Sequence, residues 1–313
     1  MVPDGTEQVR IREVGPRDGF QNEPEVIATP DKIRLIHALL AAGLRRLEVA
    51  SFVRPDVIPQ LADGTDVLQR IDRPVGVDLA VLVPNSRGLS NALKVRRHFQ
   101  EVAIFVSASE THNRKNVNRS VAETMADNRS MVKTILGEGL ACEAVIATSF
   151  GCPYEGRVDP ERVLALAEEF AEMGVGEIGF GDTTGMANPQ SAAALFAAAR
   201  PRLAGVELTA HFHNTRGQGL ANAYAAYQAG CRSFESSFGE LGGCPVPKGS
   251  TGNVATEDLV CMFHEIGADT GIDLPKLIAA AIQAQQVLGR ALTSHTIVAG
   301  PPDWEPATSR GHW

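Results

Sequence analysis

The sequence predicts an α/β protein, an eight-stranded (β/α)8 barrel of the TIM-barrel class, and three observations carry that expectation. Short β-branched runs alternate with longer amphipathic stretches, which means parallel strands joined by helical crossovers. The runs number eight, enough to close a barrel. Polar, chemically capable residues fall just past the ends of those runs, where a barrel carries its site. A doubly wound open sheet is the alternative, but no glycine fingerprint follows the first run.

The strands are expected at VRIREV from Val9, RLEVAS from Arg46, DLAVLV from Asp78, VAIFVS from Val102, EAVIATS from Glu143, EIGFGD from Glu177, ELTAHFH from Glu207 and SFESS from Ser233. The first helix is expected from Asp31, because Ile33, Ile36, Leu39 and Leu40 recur at helical spacing. Thr29–Pro30 reads as its start and Gly43 as its stop, an oxygen-bearing cap, a proline at the first helical position and a glycine after the end. The same punctuation recurs at Asp159–Pro160 with Gly174, and the start recurs at Asn188–Pro189. The basic segment NRKNVNR is expected to be an exposed loop. The glycine- and proline-rich stretch from Phe238 to Gly252 reads as a loop leading into a helix near Thr256. From Ser294 onward the chain has no clear period and reads as an extension. No fixed-period repeat and no internal boundary is visible. One domain over 1–313 is expected, with the barrel over about 8–272 and a C-terminal helix and tail over about 273–313.

Composition narrows the partners. The 313 residues are 44% hydrophobic and carry a formal net charge of −8. Such an acidic balance argues against nucleic acid but leaves room for a locally positive pocket that takes an anionic substrate. No apolar run approaches a membrane span, and MVPDGTEQVR has no signal-peptide core. The five cysteines, an odd number without a CxxC pair, read as reduced and cytoplasmic.

The unusual residues then fall into place. Arg17 and Asp18 follow the first strand, and Glu48 sits in the second. Asn85 follows the third, Ser107, Ser109 and Glu110 follow the fourth, and Asp182 ends the sixth. His211 and His213 end the seventh, two apart and so on one strand face. Cys244 and Asn253 lie in the loop after the eighth. Each has a plainer reading: Asp18–Gly19 as a turn, the histidines as core residues, Cys244 as a buried thiol, Asn253 as a cap, Asp182 as a turn residue. Together Asp18, His211, His213 and Asn253 offer two nitrogens and two oxygens, a thiol-free set suited to Mg²⁺, Mn²⁺ or a similar divalent ion with positions open to substrate. The loop GELGGCPVPKGSTGN lacks the residue order of a phosphate-binding loop.

The segments EVGPRDGFQNE, TSFGCPYEG, GDTTG, HFHNT and GELGGCPVPKGSTGNVATEDLV resemble 3-hydroxy-3-methylglutaryl-CoA lyases, from about Val9 to Gly289. The resemblance implies a barrel with an additional C-terminal helical segment, a homodimer, and retro-Claisen cleavage of an acyl-CoA substrate to acetyl-CoA and acetoacetate. It implies that Asp18, His211, His213 and Asn253 hold the divalent metal. It places Arg17 at the thioester carbonyl, with Asp18 or a water it positions taking the hydroxyl proton. Cys244 becomes the acid–base residue on a mobile loop, with Glu48 and Asp182 in support. Lys115, Asn116 and Gln21 fall to the substrate and its CoA arm. Asn214 stands where the family often has aspartate, Arg216 where tyrosine is common, Phe212 where a smaller residue is frequent, and Val246–Pro247 replaces an aromatic–alanine pair. These departures leave the acyl group open, with citramalyl-CoA or a longer 3-substituted glutaryl-CoA as further substrates. An acyl-CoA-condensing synthase is disfavoured by the short chain after Asn253, and a non-catalytic barrel by the retention of Arg17 and Cys244.

Overall fold

Strand-forming runs buried on both faces need helices on one side and something to fill the middle on the other. The computed structural model describes residues 7–243 and 252–304, and in it eight parallel strands close on themselves. They are β1 (Arg10–Glu13), β2 (Arg46–Ser51), β3 (Asp78–Leu82), β4 (Glu101–Ser107), β5 (Ala141–Ala147), β6 (Glu177–Asp182), β7 (Glu207–Phe212) and β8 (Ser233–Ser236). Each pairs with its sequence neighbour, and β8 returns to β1 through Arg10 opposite Ser233 and Glu13 opposite Ser236. The expected (β/α)8 class is therefore the observed one. A bulge between Glu48 and Ala50 in β2 shifts its register against β3.

The helices form the outer ring. In chain order they are α1 (Thr29–Ala41), α2 (Gly64–Arg70), α3 (Ser86–Ala92), α4 (Glu110–Val117), α5 (Val121–Gly137), α6 (Pro160–Glu172), α7 (Pro189–Arg202), α8 (Gly219–Gln228), α9 (Thr256–Glu265), α10 (Leu274–Leu288) and α11 (His295–Ala299). The anticipated stripe of α1, Ile33, Ile36, Leu39 and Leu40, is buried. Gly43 ends that turn at φ 103, and a Cβ there would lie 2.6 Å from the carbonyl oxygen of Gly271. Asp159 caps α6 by accepting from Glu161 N, and Asn188 caps α7 by accepting from Ser191 N, as the Asp-Pro and Asn-Pro pairs foretold.

Three local expectations change, and one element is new. Thr29 lies inside α1 instead of capping it, and its hydroxyl donates to Asp63 Oδ2 at 2.7 Å. The segment expected as an exposed loop at NRKNVNR is mostly α4, capped at Ser109 and ended by Asn118 at φ 56. A short hairpin, Gly151–Cys152 against Gly156–Arg157, follows β5 without having been foreseen. The tail beyond Ser294 contains α11, capped by the Ser294 hydroxyl accepting from Ile297 N. No helix is long and apolar enough to cross a membrane among the described residues.

Candidate active site

The motif GPRDG forms a single π-turn, Gly15–Gly19, immediately after β1. Such turns recur at functional sites because they push side chains off the helical track. Here the turn sends Arg17 and Asp18 over the barrel mouth. Arg17 Nε and Nη2 both donate to Glu48 Oε2, at 2.8 and 2.6 Å, and Nη1 donates to Asp18 Oδ1 at 2.7 Å. Burial opposes the charge on Arg17, but Glu48 and Asp18 outweigh it and hold the guanidinium protonated. Gln21 Nε2 also donates to Asp18 Oδ1, at 3.0 Å.

His211 and His213 reach the same place from the end of β7. Their Nε2 atoms face each other at 3.2 Å. Ligand atoms of Asp18, His211 and His213 lie within 4.8 Å of one another, as a metal cluster requires. Asn253 joins them from the far end of the last loop, its Nδ2 donating to Asp18 Oδ2 at 2.7 Å. Its other amide atom, Oδ1, is buried without a hydrogen-bond partner. A buried orphan acceptor beside two imidazoles and a carboxylate is the donor set that a hard divalent ion completes. The residues therefore fit a metal. Asn253 does not cap α9, whose N-cap is Ala255, so the plainer reading of that residue fails. Gly242 closes the site from above at φ 108, where a Cβ would meet Asn253 Nδ2 at 2.8 Å.

Burial disfavours the ionised form of Asp18, yet Arg17, His211 and His213 keep its carboxyl below the usual carboxylate range. His211 is desolvated, which lowers its basicity, but the hydrogen bond from its Nδ1 side to Glu235 Oε2 at 2.8 Å wins and raises it. That bond fixes the ring so that Nε2 faces the cluster.

Arg17, Asp18, Gln21, Glu48, Lys115, Asn116, His211 and His213 all line one cavity of about 390 Å³. Asp182 does not line it. Asp182 Oδ1 accepts from Met186 N and Ala187 N at 2.7 and 3.0 Å, shaping the turn after β6, and burial pushes its carboxyl up to about 7. Lys115 stands at the mouth, 4.9 Å from the ring of Tyr154. Asn85, Ser109 and Glu110 serve local structure: Asn85 caps α3, Ser109 caps α4, and Glu110 accepts from Val121 N at 2.9 Å. The Ser107 hydroxyl instead meets His112 Nδ1 at 3.0 Å, and that ring lines the cavity. Cys244 and Val246–Pro247 lie outside the described residues.

Three residues flagged as departures are committed elsewhere. Arg216 donates to the carbonyls of Thr184 and Gly185 at 3.1 and 2.5 Å. Asn214 Nδ2 donates to Glu240 Oε1 at 2.8 Å. Phe212 points away from the histidines and packs 5.6 Å from the Phe150 ring.

The sequence reading missed the floor of the site. Arg12, fully buried, meets Glu101 at 2.7 Å, Glu177 at 3.1 Å and Glu235 at 3.5 Å, and also pairs with Glu143. Arg46 pairs with Glu177 beside it. The signal was present as charge: Arg12, Glu143, Glu177 and Glu235 are charged residues in the runs that read as strands.

With the geometry in place, the comparisons with known proteins decide the family. The sequence profile of the HMGL-like family matches residues 8–283. The chain belongs to the HMGL-like family. Within it, a hydroxymethylglutaryl-CoA lyase of Bacillus subtilis is 45% identical over 290 residues, covering 93% of this chain and 96% of the relative. An (R)-citramalyl-CoA lyase of Chloroflexus aurantiacus is 43% identical over 306 residues, covering 94% and 96%. The solved structure of an HMG-CoA lyase from Acinetobacter baumannii, in complex with coenzyme A and 3-methylmalate, superposes with a TM-score of 0.90. It is 39% identical and covers 96% of this chain and 97% of that one.

Proposed function

We propose that this HMGL-like protein is a divalent-metal-dependent carbon–carbon lyase that cleaves 3-hydroxy-3-methylglutaryl-CoA to acetyl-CoA and acetoacetate. The observation that carries the reading is the meeting of Asp18, His211, His213 and the orphan Oδ1 of Asn253 beside an arginine pinned by Glu48. Asp18, His211, His213 and Asn253 would hold Mg²⁺ or Mn²⁺. Such an ion, when bound, lowers the pKa of a substrate hydroxyl toward neutrality.

The chain's own groups supply the rest. Arg17 orients the thioester carbonyl oxygen and takes up the negative charge that develops on it. Glu48 keeps that guanidinium aimed by accepting two of its N–H groups. The C3 hydroxyl gives its proton to Asp18 or to a water that Asp18 positions. The C2–C3 bond breaks, C3 becomes a ketone carbon, and the electron pair passes to C2 and the thioester oxygen. C2 then takes one proton, for which Cys244 is the proposed donor. One proton leaves the hydroxyl and one arrives at C2, so the step balances. Lys115, Asn116 and Gln21, all on the cavity wall, are assigned to the CoA arm and its thioester. A cytoplasmic homodimer completes the reading.

The test is a coupled assay of acetyl-CoA release from 3-hydroxy-3-methylglutaryl-CoA and citramalyl-CoA, with Mg²⁺ or Mn²⁺ and with chelator. Metal-dependent release from the first, lost in Cys244→Ala, is expected. Release from citramalyl-CoA alone would move the substrate while keeping the mechanism. Release from neither, by a folded protein that binds Mn²⁺, would refute the lyase assignment.

A further inference from the structure

One polar array on the cavity wall has no role in the proposed cleavage. Ser107 ends β4 opposite Ala147, which stands level with Gly181 and so with His211. Ser107 Oγ meets Thr148 Oγ1 at 2.7 Å and His112 Nδ1 at 3.0 Å. The Ser109 N–H donates to both hydroxyl oxygens at 3.3 Å. Thr148 is held against the array at φ 56, a conformation uncommon for a β-branched residue. Ser107 is 1% exposed and Thr148 0%, so no substrate reaches either hydroxyl, and Ser107 with His112 is not a nucleophile and its base.

The hydroxyl protons fix the imidazole. Thr148 Oγ1 has no acceptor but Ser107 Oγ among the described residues. If Thr148 donates to Ser107 and Ser107 donates to His112 Nδ1, every proton is used. The reverse direction leaves the Thr148 proton buried and unbonded, which is unfavourable. Nδ1 is therefore the acceptor, and Nε2 carries the hydrogen. Burial holds the ring below the ordinary histidine pKa, against the opposing pull of Glu155, so it is neutral near pH 7. Nε2 has no partner among the described residues, and the ring lines the cavity.

His112, Lys115 and Asn116 are spaced three and four residues apart on α4, and all three line the cavity. Lys115 stands at the mouth beside Tyr154, whereas His112 is one turn nearer the end of β4 and is anchored there through Ser107. Glu155, next to Tyr154, accepts Thr111 N at 2.6 Å, so the hairpin and α4 make one rim. With the thioester carbonyl at Arg17 and the CoA arm over Lys115 and Asn116, the arm passes His112 on its way out. Its first polar group beyond the sulfur is an amide two carbons away. A neutral N–H suits an amide carbonyl, whereas a phosphate or carboxylate calls for a cation. We propose that His112 is a further substrate-binding residue, its Nε2–H donating to the carbonyl oxygen of the CoA amide nearest the sulfur, with Ser107 and Thr148 holding the ring in that tautomer. The inference rests on the lyase reading above for the course of the arm.

The test uses the full-length protein with Mg²⁺ or Mn²⁺. Calorimetric titration with coenzyme A, which carries the amide and needs no cleavage, should show His112→Phe binding about three- to tenfold more weakly. His112→Gln, which returns an N–H at similar reach, should recover most of that loss. With 3-hydroxy-3-methylglutaryl-CoA the loss should appear in KM, with kcat held. The N-acetylcysteamine thioester of the same acyl group keeps the amide and the S-pentyl thioester lacks it. The His112→Phe penalty should persist on the first and vanish on the second, read from kcat/KM or, where cleavage is slow, from inhibition of the CoA ester. Nitrogen-15 spectra of the imidazole should show the Nε2–H tautomer in the wild type and its loss in Ser107→Ala. Unchanged coenzyme A affinity in folded His112→Phe overturns the inference, as does an equal penalty on both short thioesters. An Nδ1–H tautomer in the wild type overturns the role of Ser107 and Thr148. A protein that binds coenzyme A through His112 yet cleaves no thioester removes the lyase reading and leaves this contact standing.

Discussion

The Glu13 carboxylate accepts the backbone N–H of Phe238 at 3.0 and 3.2 Å, tying the first strand to the last. The same group accepts Gly15 N at 2.8 Å and the Thr256 hydroxyl at 2.7 Å. One buried side chain thus joins the π-turn that carries Arg17 and Asp18 to both roots of the glycine-rich loop. Glu257 continues the joint by accepting Gly239 N at 2.9 and 3.0 Å.

Burial pushes Glu13 up to about 7 and Glu257 up to about 8, against 4.5 for an ordinary glutamate. Over that window the folded chain holds protons that the unfolded chain has released. The contribution of these groups to stability is therefore full below about pH 4.5 and declines as pH rises through 7 to 8. Glu257→Gln keeps an acceptor for Gly239 N without the charge. Its urea midpoint should fall less between pH 5 and 8 than the wild-type midpoint does. Parallel curves for the two proteins would refute the assignment.

Arg12 is the counter-charge of the barrel floor, meeting Glu101, Glu143, Glu177 and Glu235. Arg12→Met leaves those carboxylates facing one another in the lumen. Removing one partner of a buried ion pair costs about 3–5 kcal/mol. Denaturant unfolding should show a loss of that size, and a loss under 1 kcal/mol would mean that water solvates the floor.

Glu235 orients His211 through the 2.8 Å contact at Nδ1. Groups placed so commonly change metal affinity by about 10–100-fold. Mn²⁺ titration followed by electron paramagnetic resonance should show weakening in that range for Glu235→Gln, with the unfolding midpoint recorded alongside. Unchanged affinity would show that β7 alone fixes the ring.

In the proposed reaction, Arg17→Gln removes the donor assigned to the thioester oxygen. Loss of such a preorganised donor costs on the order of 10²–10³ in rate. Steady-state kinetics should show that loss mainly in kcat. A change confined to KM would assign Arg17 to ground-state binding.

The helix starts at Asp159–Pro160 and Asn188–Pro189 were legible because capping is local chemistry, decided within four residues. The candidate cluster was legible for a different reason. His211 and His213 share a strand face by parity, and the order of strands in a barrel brings the ends of β1, β7 and β8 together. Where a side chain's partner is distant, the reading was weaker. Thr29 was read as a cap because its bond to Asp63, 34 residues on, leaves no trace in its neighbours. The helix α4 was read as a loop because its buried residue is a single asparagine, Asn113, so it shows no apolar stripe.

The sequence by itself determined the period of the elements, the number of strands and the residues able to bind a metal or hold a carbonyl. Those properties reside in side-chain chemistry and in spacings of two or about four residues. Tertiary structure decided which carboxylates would be paired. Glu235 turns to His211, Glu48 to Arg17, and Glu143 to Arg12, partners on other strands or across the barrel. It also decided which residues share a level of the lumen, because only closure of the sheet sets Gly181 beside His211 and Val145 beside Phe105. A buried charge acquires its meaning from what closes around it, and that arrangement is a property of the packed barrel.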